Sequence, residues 1–389
     1  MSRIAARLLT ACILSCAATV AAASELDARM RAVESIRGLQ FRGPVQAVTI
    51  GREELPTRLR EQLTRSLPYS VSEFVEILEA LLLIEPAGNE AFDTLIDLYE
   101  SQVLAYYDPP SQTFYMLSEP PAAMNDLPGG IGGEMAQEGV VIHELMHALQ
   151  DQHFDIGQRD LDLRKDTDAA MAYHAVLEGE ATLVMLAHLL AQSGADFDTL
   201  IREPVFDSLL TSQATADLMT GDAPRYFAES MKFPYLEGLK FVLAAYRRGG
   251  WKELDRIHAD PPRSTREVLH PEEYFAREFR APAFLARPAA SGHLLTVEHL
   301  GEFHWSFLLG PANARGWIND RVTIVQDSRC EPTVLVEAKW ESEEAARRFH
   351  TAYMTLLDGR GIGFLSRVDG RDVRLAYGSD RKTMEQFLR

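Results

Sequence analysis

This chain of 389 residues has only three cysteines, and two of them, Cys12 and Cys16, lie in its first 23 residues. Cys330 is the only other thiol, so no intrachain disulfide holds a mature fold together. A lone thiol is ordinarily a small buried hydrophobe; the alternative reading of Cys330 is an inhibitory cap on a metal. Basic residues are also scarce, with 39 Lys and Arg against 57 Asp and Glu and a formal charge of −18. A surface that acidic repels nucleic acid and anionic lipid, which argues against nucleic-acid partners. Internal repeats and low-complexity blocks are absent, which excludes solenoids and extended linkers. The one long apolar run, Leu8 to Val20, sits near the N-terminus.

That run follows Arg3 and Arg7 and precedes Ala21-Ala22-Ala23, the pattern of an export signal over residues 1–23. Its removal deletes two arginines and no acid, taking the charge from −18 to −20. A periplasmic or secreted chain with no membrane span after signal removal is expected. An uncleaved anchor is one alternative. A lipoprotein is another, through Cys16 in the loose lipobox Ile13-Leu14-Ser15-Cys16.

Composition gives 46% hydrophobic residues, enough for a full core in one large or two smaller domains. Helical spacing of apolar residues runs through Leu26–Leu39, Glu53–Ser66, Val71–Leu83 and Glu90–Ser101, with Ser70 and Asn89 as caps. Val45–Ile50 reads as a short strand. Val103–Tyr107 and Thr113–Leu117 are β-rich and flank Asp108-Pro109-Pro110-Ser111-Gln112, which reads as a hairpin. Residues 119–133 are Pro/Gly-rich loop. Gly129 to Gly133 lacks a phosphate fingerprint and serves as a flexible approach to the next helix. Helices are expected over Glu134–Gln152, Asp168–Gln192, Tyr235–Arg248 and Trp251–His258. The Ala/Pro/Gly/Ser stretch Ala281–Ser291 marks a boundary. Beyond it come strands Arg321–Gln326, Thr333–Lys339 and Val373–Tyr377, and a helix Ser342–Leu357. The expected fold class is α+β: a predominantly helical domain with a small sheet over residues 24–285, then a small α+β module over residues 290–389.

The most informative segment is His143-Glu144-Leu145-Met146-His147, an H-E-x-x-H run within an apolar-periodic helix. At about 100° per residue, His143 and His147 share one face and can share a metal, while Glu144 can take a proton from water bound there. The plain alternative is the charged face of an amphipathic helix. Two histidines beside a glutamate, flanked by buried-type Val140-Val141-Ile142, are costly unless satisfied. Zinc is the default ion for imidazole and carboxylate ligands.

A catalytic zinc needs three protein ligands and one open position. Glu178, in Leu177-Glu178-Gly179-Glu180-Ala181-Thr182, is the first candidate for the third. Small Ala181 and Thr182 on its face would let that helix approach the active-site helix. Glu180, about 200° around, points elsewhere. His153 is the other candidate, ten positions after His143 as in the metzincin signature. Gln150 stands where that signature needs glycine, and a continuing helix turns His153 away from His147. Met231 would be the corresponding Met-turn residue. Candidates for the donor to a tetrahedral intermediate are Tyr106, His174, Tyr235 and His270. The hairpin Val103–Leu117 offers either an edge strand for extended peptide or ordinary sheet structure.

His143-Glu144-x-x-His147, followed on a separate helix by Glu178-Gly179-x-Ala181, resembles the gluzincin branch of the zincin metallopeptidases. The strings HELMHALQDQHFD, AVLEGEAT and PPRSTREVLHPEEY are similar to those of secreted bacterial zincin-like proteins, over Tyr106 to Tyr274. The resemblance implies a zinc peptidase with ligands His143, His147 and Glu178 and with Glu144 as general base, acting on a peptide or protein substrate. It implies a zinc site between a β-containing lobe and a helical one. The chain departs from thermolysin, whose glutamate ligand follows much sooner after the second histidine, so substrate class does not carry over. A zinc-stabilised binding or assembly factor without turnover is the rival function.

Overall fold

The computed structural model describes residues 25–88, 90–119, 134–203, 224–276 and 292–389. The signal segment 1–23, the Gly129–Gly133 stretch and the boundary at Ala281–Ser291 lie outside these residues. The fold class is α+β: helices dominate, accompanied by a three-stranded and a five-stranded sheet. Contacts divide the chain into two compact units. The smaller takes Met1–Arg52, Leu104–Asp155 and Ala181–Leu200, and the larger takes Glu53–Val103, Ile156–Glu180 and Ile201–Arg389. This partition interleaves segments instead of following chain order.

In the smaller unit, strands β1 (Gln46–Ile50), β2 (Ala105–Asp108) and β3 (Thr113–Leu117) form a sheet of order β1-β3-β2. β1 runs parallel to β3, and β2 is antiparallel to β3 in the expected hairpin. The turn works because Gln112 adopts a left-handed conformation at φ 50° and the Asp108 carboxylate accepts a 2.6 Å bond from the Ser111 hydroxyl. The H-E-x-x-H helix, Glu134–Phe154, packs against β2 and β3. Val141, Ile142, Leu145, Met146, Ala148 and Leu149 are all buried along it. A helix apolar on so much of its circumference belongs in a core. Its neighbour in this unit is the C-terminal part of Thr167–Gln192. At Gly139 an added Cβ would lie 3.2 Å from Leu189 and 3.4 Å from Met185, so the two helices pack closely here. Asp155, at φ 54°, closes the helix.

The larger unit is organised around strands β4 (His293–Glu298), β5 (Trp317–Gln326), β6 (Pro332–Trp340), β7 (Phe364–Asp369) and β8 (Asp372–Gly378). They form an antiparallel sheet of order β4-β5-β6-β8-β7. Seven consecutive residues of β5 are buried, Asn319–Val325, because both faces of the sheet are covered. Helices Gly301–Leu309 and Glu343–Gly359 contribute Trp305, Phe349 and Tyr353, packed edge-to-face with centroids 4.9 and 5.4 Å apart about Trp305. Helix Val71–Ala80, opened by a complete capping box at Ser70 and Glu73, also touches β6. The Tyr377 hydroxyl donates to the Ala80 carbonyl at 2.9 Å, and Gln326 donates to Glu76 at 2.6 Å.

Helix Arg225–Gly249 begins ten residues before the expected Tyr235 and carries Pro234 in its interior. The proline removes one ladder bond, but burial of Tyr226, Phe227 and Ala228 before it and of Leu239, Phe241 and Val242 after it holds both segments helical. Met231 lies inside that helix, so no Met-turn forms there. This helix crosses Thr167–Gln192 at two glycines. A Cβ on Gly179 would meet the Gly238 backbone at 2.4 Å, and one on Gly238 would meet the Ala175 carbonyl at 2.1 Å. Among the described residues Thr167–Gln192 is the one helix long and apolar enough to cross a membrane, and half of its most apolar window is buried within the protein. Burial of Ala175, Val176, Leu177, Ala181, Leu183 and Val184 accounts for that apolar character.

The string Pro261 to Tyr274 is a structural hub of the larger unit. Thr265 donates its backbone N–H and hydroxyl to Asp168 at 3.0 and 2.5 Å. Arg266 bonds Glu273, Glu341 and the Trp317 carbonyl, and Tyr274 donates to the Asp260 carbonyl at 2.7 Å. Asp320 is fully buried and accepts from the Leu300 and Gly301 amides and from both Trp305 and Trp317 indoles, at 2.7–2.9 Å. Burial raises the pKa of Asp168 and of Asp320 despite these donors.

His304 gives this unit an acid-sensitive group. It is fully buried, its Nδ1–H donates to the Leu300 carbonyl at 2.6 Å, and its Nε2 accepts from the Tyr226 hydroxyl at 3.2 Å. Burial, opposed by the Leu300 carbonyl, pushes its pKa down from 6.5 to about 4. The folded imidazole therefore binds a proton less readily than the unfolded one. Its contribution is complete above the unfolded pKa and is lost as pH falls through the interval down to about 4. The stability difference between wild type and His304→Gln should shrink by up to about 3 kcal/mol on acidification from pH 7 to pH 4. Urea unfolding at each pH measures it; a difference independent of pH would contradict the assignment.

Candidate metal centre

Three side chains converge on the H-E-x-x-H helix: among the described residues, the one set of three or more His, Cys, Asp or Glu close enough to hold a single ion is His143, Glu144 and His147. His143 is buried and the other two are half-buried. One helical turn brings the two imidazole Nε2 atoms 3.1 Å apart, with the rings nearly perpendicular at 83°. Two nitrogens bound tetrahedrally at zinc distances lie roughly 3.3 Å apart. The pair is thus spaced as two ligands of one ion would be.

The tautomer of His147 fits the same role. Its Nδ1 faces the side-chain oxygen of fully buried Gln150 at 2.8 Å. An amide oxygen accepts, so Nδ1 carries the proton and Nε2 presents its lone pair toward His143. The sequence marks Gln150 only as a residue that is not glycine; its orienting role appears once the helix is seen to continue past it. Replacing Gln150 with leucine should weaken zinc binding by about 10- to 100-fold, whereas Gln150→Glu, which keeps an acceptor, should not. Competition with a chromophoric chelator reads this out, and equal affinity in the leucine variant would contradict it.

The rest of the string is equally committed. Asp151 accepts from the Tyr107 hydroxyl at 2.9 Å. Gln152 accepts from the amides of Arg42 and Gly43 at 2.7 and 3.2 Å and donates to the Gly43 carbonyl. His153 bonds the Gln40 carbonyl at 2.8 Å and is not part of the cluster with His143 and His147. These contacts account for the four successive polar positions of HALQDQHF: Gln150 orients His147 on the same helix, Asp151 holds β2, and Gln152 and His153 hold the segment of residues 40–43.

Glu144 is held from the sheet. Its Oε2 accepts from the Tyr107 backbone N–H at 2.8 Å. Among the described residues β2 is an edge strand, and its Leu104 neighbour turns its carbonyl inward to the Leu117 amide, so alternation leaves the Tyr107 amide on the side away from β3. Tyr106 points to the opposite face of the sheet from Tyr107, with its ring stacked on Tyr115 at 5.0 Å.

Glu178 belongs to the larger unit, half-buried on Thr167–Gln192, where its negative charge adds to burial in raising the Tyr99 phenol pKa. Glu180 points elsewhere on the same helix, as its angular offset requires. It is fully buried and paired with His258, Oε2 to Nε2 at 2.6 Å. His174 is exposed and faces Asp160 at 3.1 Å, and His270 bonds Glu302 at 2.9 Å and Arg315. Tyr235 is half-buried on Arg225–Gly249.

Residues 285–384 match a domain family of unknown function, DUF8575, which therefore covers the C-terminal sheet and not the His143–His147 centre. No curated protein and no solved structure matches the chain.

Proposed function

We propose that the protein is a zinc-dependent peptidase, periplasmic or secreted, that hydrolyses peptide bonds with Glu144 as general base. The observation that carries this reading is the 3.1 Å approach of the His143 and His147 Nε2 atoms with Glu144 beside them. Gln150 supports it by accepting from the His147 Nδ1–H, which turns the Nε2 lone pair toward His143. Glu178 lies outside the cluster of His143, Glu144 and His147 and is taken as the third ligand only from the resemblance of its Glu178-Gly179-x-Ala181 motif to gluzincins. When bound, zinc supplies a Lewis acid that polarises a carbonyl and makes water a nucleophile near neutral pH. The chain's own work is then to move one proton. Glu144 takes it from the attacking water and later delivers it to the departing amine, while the Tyr107 N–H steadies the other carboxylate oxygen.

The experiment is incubation of the purified chain with an unfolded protein, with and without chelator. Cleavage that stops on chelation and returns with added zinc is expected. Zinc bound at one per chain with no cleavage of any unfolded substrate would replace this reading with that of a zinc-stabilised binding factor.

A further inference from the structure

Tyr107 makes two bonds to one helix face. Its backbone N–H donates to Glu144 Oε2 at 2.8 Å, and its phenol donates to Asp151 Oδ2 at 2.9 Å. Glu144 and Asp151 are seven residues apart, two helical turns, and so lie one above the other about 10 Å apart along the axis. A single tyrosine on the edge strand spans that interval. Its ring and hydroxyl are buried against the helix, where Asp151 is also buried, and burial with the Asp151 charge raises the phenol pKa far above its ordinary value. The hydroxyl therefore remains protonated and remains a donor.

Building on the peptidase reading, we infer that Tyr107 is a positioning residue for Glu144, acting through the Asp151 bond. An edge strand has partners on one side only and can slide or lift from a neighbouring helix. The phenol–Asp151 bond fixes where Tyr107 sits along the helix, which fixes its amide, and the amide fixes the orientation of the Glu144 carboxylate. The same side chain thus sets the base relative to β2. Tyr107 itself touches no reacting atom in this role.

The test uses the full chain and four variants: Tyr107→Phe, Asp151→Leu, Asp151→Asn and Glu144→Ala. Amide exchange at position 107, followed by nuclear magnetic resonance, needs no turnover. Glu144→Ala sets the rate for an amide that has lost its acceptor. Exchange at 107 should rise about tenfold or more in Tyr107→Phe and Asp151→Leu. Asp151→Asn, whose amide oxygen still accepts from the phenol, should stay near wild type. The Tyr106 amide, on the β3 side, should not change in any of them.

In turnover, the same two variants should lose about tenfold or more in kcat with KM and zinc affinity unchanged. The double variant Tyr107→Phe/Asp151→Leu should be no worse than either single one. Unchanged exchange at 107 in Tyr107→Phe and Asp151→Leu would overturn the clamp. Raised exchange with unchanged kcat would overturn its positioning role. If the wild-type chain binds zinc but cleaves nothing, the exchange data still decide the clamp, and the peptidase reading alone falls.

Discussion

Glu178→Ala should lower zinc affinity by on the order of 100- to 1000-fold, with thermal stability of the apo chain changed little. Structural zinc sites with four protein ligands bind with on the order of 10–16 kcal/mol, so removing one ligand from a site of three forfeits several kcal/mol. The substitution shortens a half-buried side chain on a good helix former and creates no bulk at the tight crossing, which depends on the neighbouring Gly179. His153→Ala is the informative companion. His153 bonds the Gln40 carbonyl, so its loss should cost local order near residues 40–43 and leave zinc affinity within about twofold of wild type. The reverse pattern, zinc lost with His153 and kept with Glu178→Ala, would reassign the third ligand to the metzincin-like arrangement.

Glu144→Gln should abolish hydrolysis, with kcat down by on the order of 10²–10⁴, while zinc stays bound. Glutamine keeps the size of the side chain and an oxygen that can accept from the Tyr107 amide, so the local fold is preserved. What it lacks is a carboxylate able to take the proton. The contrast with Glu178→Ala separates chemistry from ligation: one variant binds zinc and is silent, the other fails to bind it. Wild-type rates in Glu144→Gln would remove the general-base assignment even if zinc were bound.

The fold and the centre were legible to different depths. The H-E-x-x-H helix was expected over Glu134–Gln152 and runs Glu134–Phe154, because its apolar period is unbroken and Gln150 does not interrupt it. The hairpin appears as β2 and β3, since its turn residues carry the signal locally. What local pattern does not carry depends on distant partners. β1 pairs in parallel with β3, 67 positions later, which no local pattern encodes. β4 and β7 are edge strands with interrupted burial, so their alternation is weak. Helix Arg225–Gly249 passes through Pro234, where propensity predicts a stop and tertiary burial overrides it.

At the centre, His143, Glu144 and His147 follow from helical pitch alone, and the structure brings these three together. The Gln150–His147 bond also follows from pitch, as an i,i+3 pair on one helix. The partners of Asp151 and Glu180 do not. Each is a polar residue at a buried helix position, and such residues require a partner. The sequence therefore signals that a bond exists without naming where it goes: the Tyr107 phenol for Asp151 and the His258 imidazole for Glu180.

The most direct test is the metal content of the purified full chain, measured by mass spectrometry for wild type and for His143→Ala/His147→Ala. The account predicts one zinc per wild-type chain, removed by chelation and restored by added zinc, and none in the double variant. Zinc absent from a folded wild-type chain even after zinc is supplied, or retained equally by the double variant, would contradict it.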